Sequence, residues 1–276
     1  MTAMTDRYSL GRTPEEYERL RAQARMWEAP TGRLLDQVGL APGARCLDAG
    51  CGPGETMRLM AHRVGPAGTV TGIDIDAGLG PLAQAMLHEA GHRQCRVLTH
   101  DLTADEPVPG GTYDLVYTRL LLFHLPQRVP VLARLWSAVA PGGHLVVQDY
   151  DMSTAGSMAA PGLASVDEAM RVINAAFLAA GCDTRTGTRL GELFVQAGVG
   201  APDGTDVAGQ VGPMPVAQAM MDAVFRSLLP VALARGITTA DQAEQTLGLL
   251  ARESTEHAHR FGLFPLLVAA WKRKPA

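Results

Sequence analysis

The residues able to do chemistry concentrate in one stretch, Cys46-Leu47-Asp48-Ala49-Gly50-Cys51-Gly52-Pro53-Gly54. A glycine-rich turn between a strand and a helix lets backbone approach a ligand, and the helix N-terminus adds positive potential. A dinucleotide site wants G-x-G-x-x-G against phosphate oxygens. Gly50 and Gly52 fill the first two places, but Glu55 stands in the third. Glu55 and Asp48 would both repel a pyrophosphate at short range. The loop suits a ligand with a cationic or zwitterionic part. Further on, Gly72-Ile73-Asp74 puts a carboxylate beside the loop, where it can accept both hydroxyls of a ribose. Asp101 is placed to receive the exocyclic amine of an adenine. A ribose acid and an adenine acceptor without a phosphate cradle point to an adenosine carrying no phosphate.

The elements that position these residues alternate. Strands are expected at Arg45–Ala49, Thr69–Ile73, Cys95–Thr99, Tyr113–Tyr117 and His144–Gln148, with helices at Glu55–Val64, Gly80–Ala90 and Val129–Val139 between them. Such alternation means a parallel sheet covered on both faces. Ahead of it, Thr13-Pro14-Glu15-Glu16 reads as a capped helix start, and Tyr17, Leu20, Ala24 and Trp27 form an amphipathic stripe that Pro30 interrupts. A short helix over Thr31–Val38 follows. Beyond the sheet, helices are expected at Ala164–Ala180, Leu190–Ala197, Pro215–Ala234 and Thr239–Thr255, with Pro230 bending or ending the third. Thr205–Val211 and Phe264–Lys272 read as strands.

Composition narrows the function classes. The chain has 276 residues, 47 % hydrophobic and 19 % charged, enough to bury a sizeable core. A net charge of −4 and only 5 % aromatics argue against a nucleic-acid partner. The cysteines at 46, 51, 95 and 182 lack metal-ligand spacing and read as reduced small hydrophobes in a cytoplasmic protein, with no metal expected. Met1–Ser9 has no signal-peptide character, and Leu120–Leu125 and Leu263–Trp271 are too short to span a bilayer, so no membrane partner is expected.

The motifs resemble those of class I S-adenosylmethionine-dependent methyltransferases, over about residues 40–150. The pattern D-x-G-x-G-x-G is matched by Asp48 to Gly54, the ribose acid by Asp74, and the adenine-side acid by Asp101. The fourth-strand segment is matched by Tyr113-Asp114-Leu115-Val116-Tyr117-Thr118-Arg119, and the turn before the fifth strand by Pro141-Gly142-Gly143. The likeness is nearest the ubiquinone/menaquinone-biosynthesis type. Tyr8-Ser9-Leu10-Gly11, Arg19-Leu20, Gln23-Ala24, Gly181–Leu190 and the Ala270–Pro275 ending look like a bacterial natural-product branch.

The resemblance implies a Rossmann-like doubly wound seven-stranded sheet, mostly parallel with an antiparallel last strand. Residues 1–40 would form an N-terminal helical lid. Residues 41–276 would form the methyltransferase domain, with a helical cap insertion at about 212–260. S-adenosylmethionine is the implied cofactor, held by Asp48, Gly50, Cys51, Gly52, Gly54, Asp74, Ile75, Asp101, Leu102, Arg119 and Gln23. His124, Asp149 and Arg119 are the catalytic candidates, and Tyr8, Trp27, Tyr150 and Met220 the substrate-binding ones. Bland readings stand beside these. His124 could be structural and cap the next helix. Asp149, with Asp151, could cap a turn. Arg119 could sit in a structural ion pair, and Met220 in a methionine-rich core helix. The expected activity is methyl transfer to an O, N or C nucleophile of a small molecule, by a monomer or homodimer. The alternatives are a rearrangement or cyclisation on the same cofactor fold, a tRNA or protein methyltransferase, and a nicotinamide-dependent oxidoreductase.

Overall fold

The computed structural model describes residues 14–153 and 162–276. In chain order the elements are α1 (Pro14–Met26), α2 (Glu28–Gln37), β1 (Arg45–Ala49), α3 (Glu55–Val64), β2 (Thr69–Asp74), α4 (Leu79–Glu89), β3 (Cys95–Thr99) and β4 (Tyr113–Arg119). A 3-10 turn at Leu122–His124 leads to α5 (Arg128–Ser137) and β5 (Val139–Asp151). Then come α6 (Ala164–Ala179), α7 (Thr186–Gln196), β6 (Gly204–Ala208), β7 (Val211–Pro213), α8 (Met214–Ala234), α9 (Ala240–Glu256), β8 (Phe261–Leu263) and β9 (Leu266–Arg273).

Seven strands pair in the order β3-β2-β1-β4-β5-β9-β6. β1 to β5 pair in parallel, and β9 runs antiparallel to both β5 and β6. The expected mostly parallel sheet with an antiparallel final strand is therefore present. Alternate residues of each strand feed opposite layers. Leu47 and Ala49 pack with Leu132 and Leu135 of α5 and Phe194 of α7, whereas Cys46 packs with Leu34 of α2 and Met57 and Met60 of α3. The strand order reverses between β1 and β4, which opens a crevice at their carboxyl ends.

A separate helical cluster sits over that crevice. Val166, Ala169 and Ile173 of α6, Phe225 and Leu228 of α8 and Leu250 of α9 share one core with Phe123. The helical layer thus draws on α6 as well as on the 212–260 region.

Several local expectations change. Thr13 and Tyr8 lie outside the described residues. The first helix breaks at Trp27 rather than at Pro30, which occupies the first turn of α2, where a missing N–H breaks no helical bond. Pro230 neither ends nor divides α8; Arg226 and Pro230 both face solvent, so water can serve the carbonyl that Pro230 leaves unbonded. Thr205–Val211 splits between two sheets, because β7 pairs with β8 and not with β9. β5 is longer than expected and includes the Pro141-Gly142-Gly143 turn, opposite an irregularity at Tyr113/Leu115. By length and composition α8 alone among the described helices could cross a membrane, unlike the stretches singled out in the sequence. Here its Met214, Phe225, Leu228 and Ala232 are buried in the helical core.

α9 shows how sequence sets a boundary. Thr239 Oγ1 accepts from Gln242 N at 3.2 Å, and Gln242 Oε1 accepts from Thr239 N at 3.0 Å, a reciprocal capping box.

Gly72 lets β2 pass close beneath the loop and α3. A Cβ there would lie 2.4 Å from Met57 Sδ and 2.8 Å from Cys51 Sγ. Gly72→Ala is therefore expected to destabilise by about 1–3 kcal/mol. Urea denaturation measures this directly; an unchanged midpoint would refute the close approach.

Candidate active site

The glycine loop is stitched to the end of β2. Gly50 N and Cys51 N donate to Ile73 O at 2.8 and 3.0 Å. Gly50, Gly52 and Gly54 have φ of 73°, 49° and 81°, a region that side-chain-bearing residues rarely adopt. The Asp74 carboxylate closes the arrangement. Its Oδ2 accepts from Gly52 N at 2.9 Å, and its Oδ1 accepts from Asp76 N at 2.9 Å. Asp76 in turn accepts from Gly78 N and from the Tyr17 hydroxyl, so it shapes the turn into α4 and touches α1. At the end of β3, Asp101 Oδ1 accepts from Thr103 N at 2.8 Å and Thr103 Oγ1 at 2.7 Å.

Asp48 is 2 % exposed, and its Oδ2 has no hydrogen-bond partner. Burial pushes its pKa up to about 7; the Arg119 guanidinium opposes that rise and the Asp74 charge adds to it. A buried carboxylate oxygen without a donor is costly, and a cationic or donor group of a ligand would relieve it.

The opposite wall is built from the ends of β4 and β5. Arg119 donates to Thr31 Oγ1 at 3.0 Å. Leu120 follows with φ 55°, the one non-glycine positive φ among the described residues, and turns the chain into the 3-10 turn. Asp149 is fully buried and fastens that turn. Its Oδ2 accepts from Phe123 N at 3.0 Å and its Oδ1 from Tyr150 N at 2.9 Å. Burial raises its pKa to about 7 despite the bonds from Phe123, Tyr150 and Leu122 and the charge of Arg128. His124 lies beside Phe177, with Nδ1 3.8 Å from Cys182 Sγ. Burial, helped by the charge of Arg19, lowers the His124 pKa to about 4, so the ring is neutral at physiological pH. Tyr150 takes hydrogen bonds at its hydroxyl from Trp27 Nε1 at 2.7 Å and Gln23 Nε2 at 3.0 Å.

One cavity of about 270 Å³ joins these walls. Asp48, Gly50, Cys51, Gly52, Asp74, Ile75, Asp101, Leu102, Arg119, Gln23, His124, Tyr150 and Met220 all line it. Three sequence-derived candidates do not. Gly54 precedes α3 as its left-handed N-cap, behind the loop surface. Trp27 is 0 % exposed and acts through Tyr150, whose ring it meets edge-on at 5.9 Å. Asp149 does not line the cavity; both its carboxylate oxygens hold backbone and fix the turn. Asp151 likewise bonds Ser153 and Thr188. Tyr8 lies outside the described residues.

Sequence reasoning passed over other lining residues. His100 lines the cavity with a buried Nε2 that has no partner. Arg19 enters from α1, and Ile173 and Phe177 from α6. Arg19 stood in the sequence only as part of a family likeness; the α6 residues gave no signal but helical periodicity.

The buried Asp149 predicts a pH dependence. Its folded pKa lies above the unfolded value, so its contribution is fully present below about pH 4 and is lost as pH rises through about 7. Asp149→Asn keeps an acceptor and cannot ionise. Between pH 5 and 8 the variant should lose less stability than the parent, by on the order of 2–4 kcal/mol. Parallel urea midpoints for the two proteins would disprove the raised pKa.

Residues 46–143 match a family model described as a methyltransferase domain. Curated relatives include a trans-aconitate 2-methyltransferase of Paracidovorax citrulli (strain AAC00-1), 36% identical over 122 residues, 44% of this chain and 45% of the relative. A nocamycin O-methyltransferase of Saccharothrix syringae is 37% identical over 115 residues, 41% and 40% of the two chains. The matched stretch therefore covers less than half of these relatives' length. Among solved structures, a SAM dependent methyltransferase from Aquifex aeolicus has a TM-score of 0.51 at 20% identity, covering 74% of this chain and 93% of its own. Phosphoethanolamine N-methyltransferase 2 of Haemonchus contortus, solved with S-adenosyl-L-methionine, has a TM-score of 0.52 at 15% identity, covering 90% and 53%. At those identities the likeness is one of fold. The part of the site that carries Asp48, Asp74, Asp101, Arg119 and His124 is thus the part similar to a methyltransferase domain, and α1, α6 and α8, which complete the cavity, lie outside the matched residues.

Proposed function

We propose that the protein transfers the methyl group of S-adenosylmethionine to a small-molecule acceptor. One observation carries the reading: a single cavity runs from an adenosine-type site to an apolar chamber. The residues fit the cofactor chemically. Asp74 is the acceptor for ribose hydroxyls, with Ile75, Asp101, Leu102 and Thr103 around the base. The unpartnered Asp48 oxygen suits an ammonium group, and Arg119 a carboxylate. When bound, S-adenosylmethionine supplies an activated methyl group. The chain's own contribution is alignment and exclusion of water.

Helix α1 acts as the lid, through Tyr17, Arg19, Leu20 and Gln23 on the cavity. Met170, Ile173 and Phe177 of α6 and Met220, Met221 and Val224 of α8 hold the acceptor's apolar body. His124, with a pKa near 4, is a weak base at neutral pH and serves better to orient an acceptor than to deprotonate it. The acceptor therefore brings its own nucleophilicity. A natural product or related metabolite is the acceptor class, in keeping with the names of the trans-aconitate and nocamycin enzymes to which residues of this chain are similar. Those names do not point to the ubiquinone/menaquinone branch.

Titration calorimetry with S-adenosylmethionine, S-adenosylhomocysteine and NADH tests the reading. The first two should bind and NADH should not. Asp74→Asn should weaken the first two by about 10–100-fold, the cost of losing charge-assisted hydrogen bonds. Preference for NADH, or affinity untouched by the substitution, would sink it.

A further inference from the structure

Tyr150 stands where β5 reaches the crevice, and its hydroxyl oxygen accepts two hydrogen bonds. Trp27 Nε1 lies at 2.7 Å and Gln23 Nε2 at 3.0 Å. An indole N–H can only donate. The Gln23 amide is also oriented, because its Oε1 accepts from Arg19 Nη1 at 3.4 Å and a guanidinium offers no acceptor. The amide nitrogen is therefore the atom that faces Tyr150. Both phenol lone pairs meet donors, so the phenol proton is directed at neither of them. Burial holds the phenol above its usual pKa, so it keeps that proton at neutral pH. The charges of Arg19 and Arg119 both reach Tyr150 and favour negative charge beside it. All four residues other than Trp27 line the cavity, whose neighbouring walls include Ile173, Phe177, Met221 and Val224.

We propose that the Tyr150 hydroxyl donates its hydrogen bond to a carboxylate of the acceptor, so that the substrates are small apolar acids bound as anions. The proposal rests on the cofactor-and-acceptor reading above and names the substrate class for it. Trp27 and Gln23 act as positioning residues, since they occupy the oxygen and aim its proton. A carboxylate beside Tyr150 could belong to the acceptor or to the amino-acid end of the cofactor, and the test separates the two.

The protein saturated with S-adenosylhomocysteine is titrated with octanoate and phenylacetate, and with octanamide and phenylacetamide as neutral counterparts. Both carboxylates should bind, at least tenfold tighter than their amides. Tyr150→Phe should weaken carboxylate binding about tenfold and leave S-adenosylhomocysteine affinity within twofold. Gln23→Glu, which offers the phenol proton an acceptor inside the protein, should also weaken the carboxylates and keeps the test alive if Tyr150→Phe does not fold. The proposal is overturned if amides bind as well as carboxylates, if no carboxylate binds, or if neither variant changes their affinity. It is also overturned if Tyr150→Phe weakens S-adenosylhomocysteine instead, which would assign the phenol to the cofactor. Failure of the unmodified protein to bind S-adenosylhomocysteine at all would instead strike the reading on which the proposal rests.

Discussion

Asp74 holds the glycine loop to the end of β2 through the Gly52 N–H, and holds its own following turn through the Asp76 N–H. Three glycines in the left-handed region would otherwise have wide conformational freedom. The two backbone bonds donated to Ile73 O and this one carboxylate select a single loop shape. That shape buries Asp48 behind the loop with one oxygen unmatched, close enough to Arg119 and Asp74 to feel both charges. The cofactor end is thus a set of backbone positions fixed by one side chain, and its electrostatic imbalance is one a cationic ligand group would correct.

The acceptor end is held differently. Its walls come from α1, α6 and α8, elements far apart in sequence that meet over the crevice. Asp149 stabilises the turn carrying Phe123 and His124, and Trp27 fixes Tyr150 across the domain. Asp149 and Trp27 at this end are therefore supports for their neighbours rather than groups that face a ligand.

This difference explains what could be read from the sequence. The glycines, Asp74 and Asp101 stand out because the turn demands residue types at fixed short spacing. The parallel sheet was legible from alternating strand and helix patterns, and its antiparallel last strand through the family likeness. The partnership of Trp27 with Tyr150 spans 123 positions, and that of Asp149 with Phe123 spans 26, so no local pattern announces either. Asp149 reads as a site residue because it ends the fifth strand, and Trp27 because the family likeness makes its helix a lid, while their side chains point to backbone and to Tyr150. The helical layer was visible as helices, but the place of α6 in the cavity depends on packing with α8 and α9. Pro30 and Pro230 misled for a related reason, since the effect of a proline depends on whether its position needs an N–H and on whether water reaches the freed carbonyl.

A crystal structure with bound S-adenosylhomocysteine bears most directly on the glycine loop as a cofactor site. The ribose hydroxyls should lie within about 3 Å of the Asp74 carboxylate. The amino group should stand at Asp48, and the sulfur should face the chamber between His124 and Tyr150. A ligand seated elsewhere, or a ribose turned away from Asp74, would contradict the assignment of the loop and of every group placed from it.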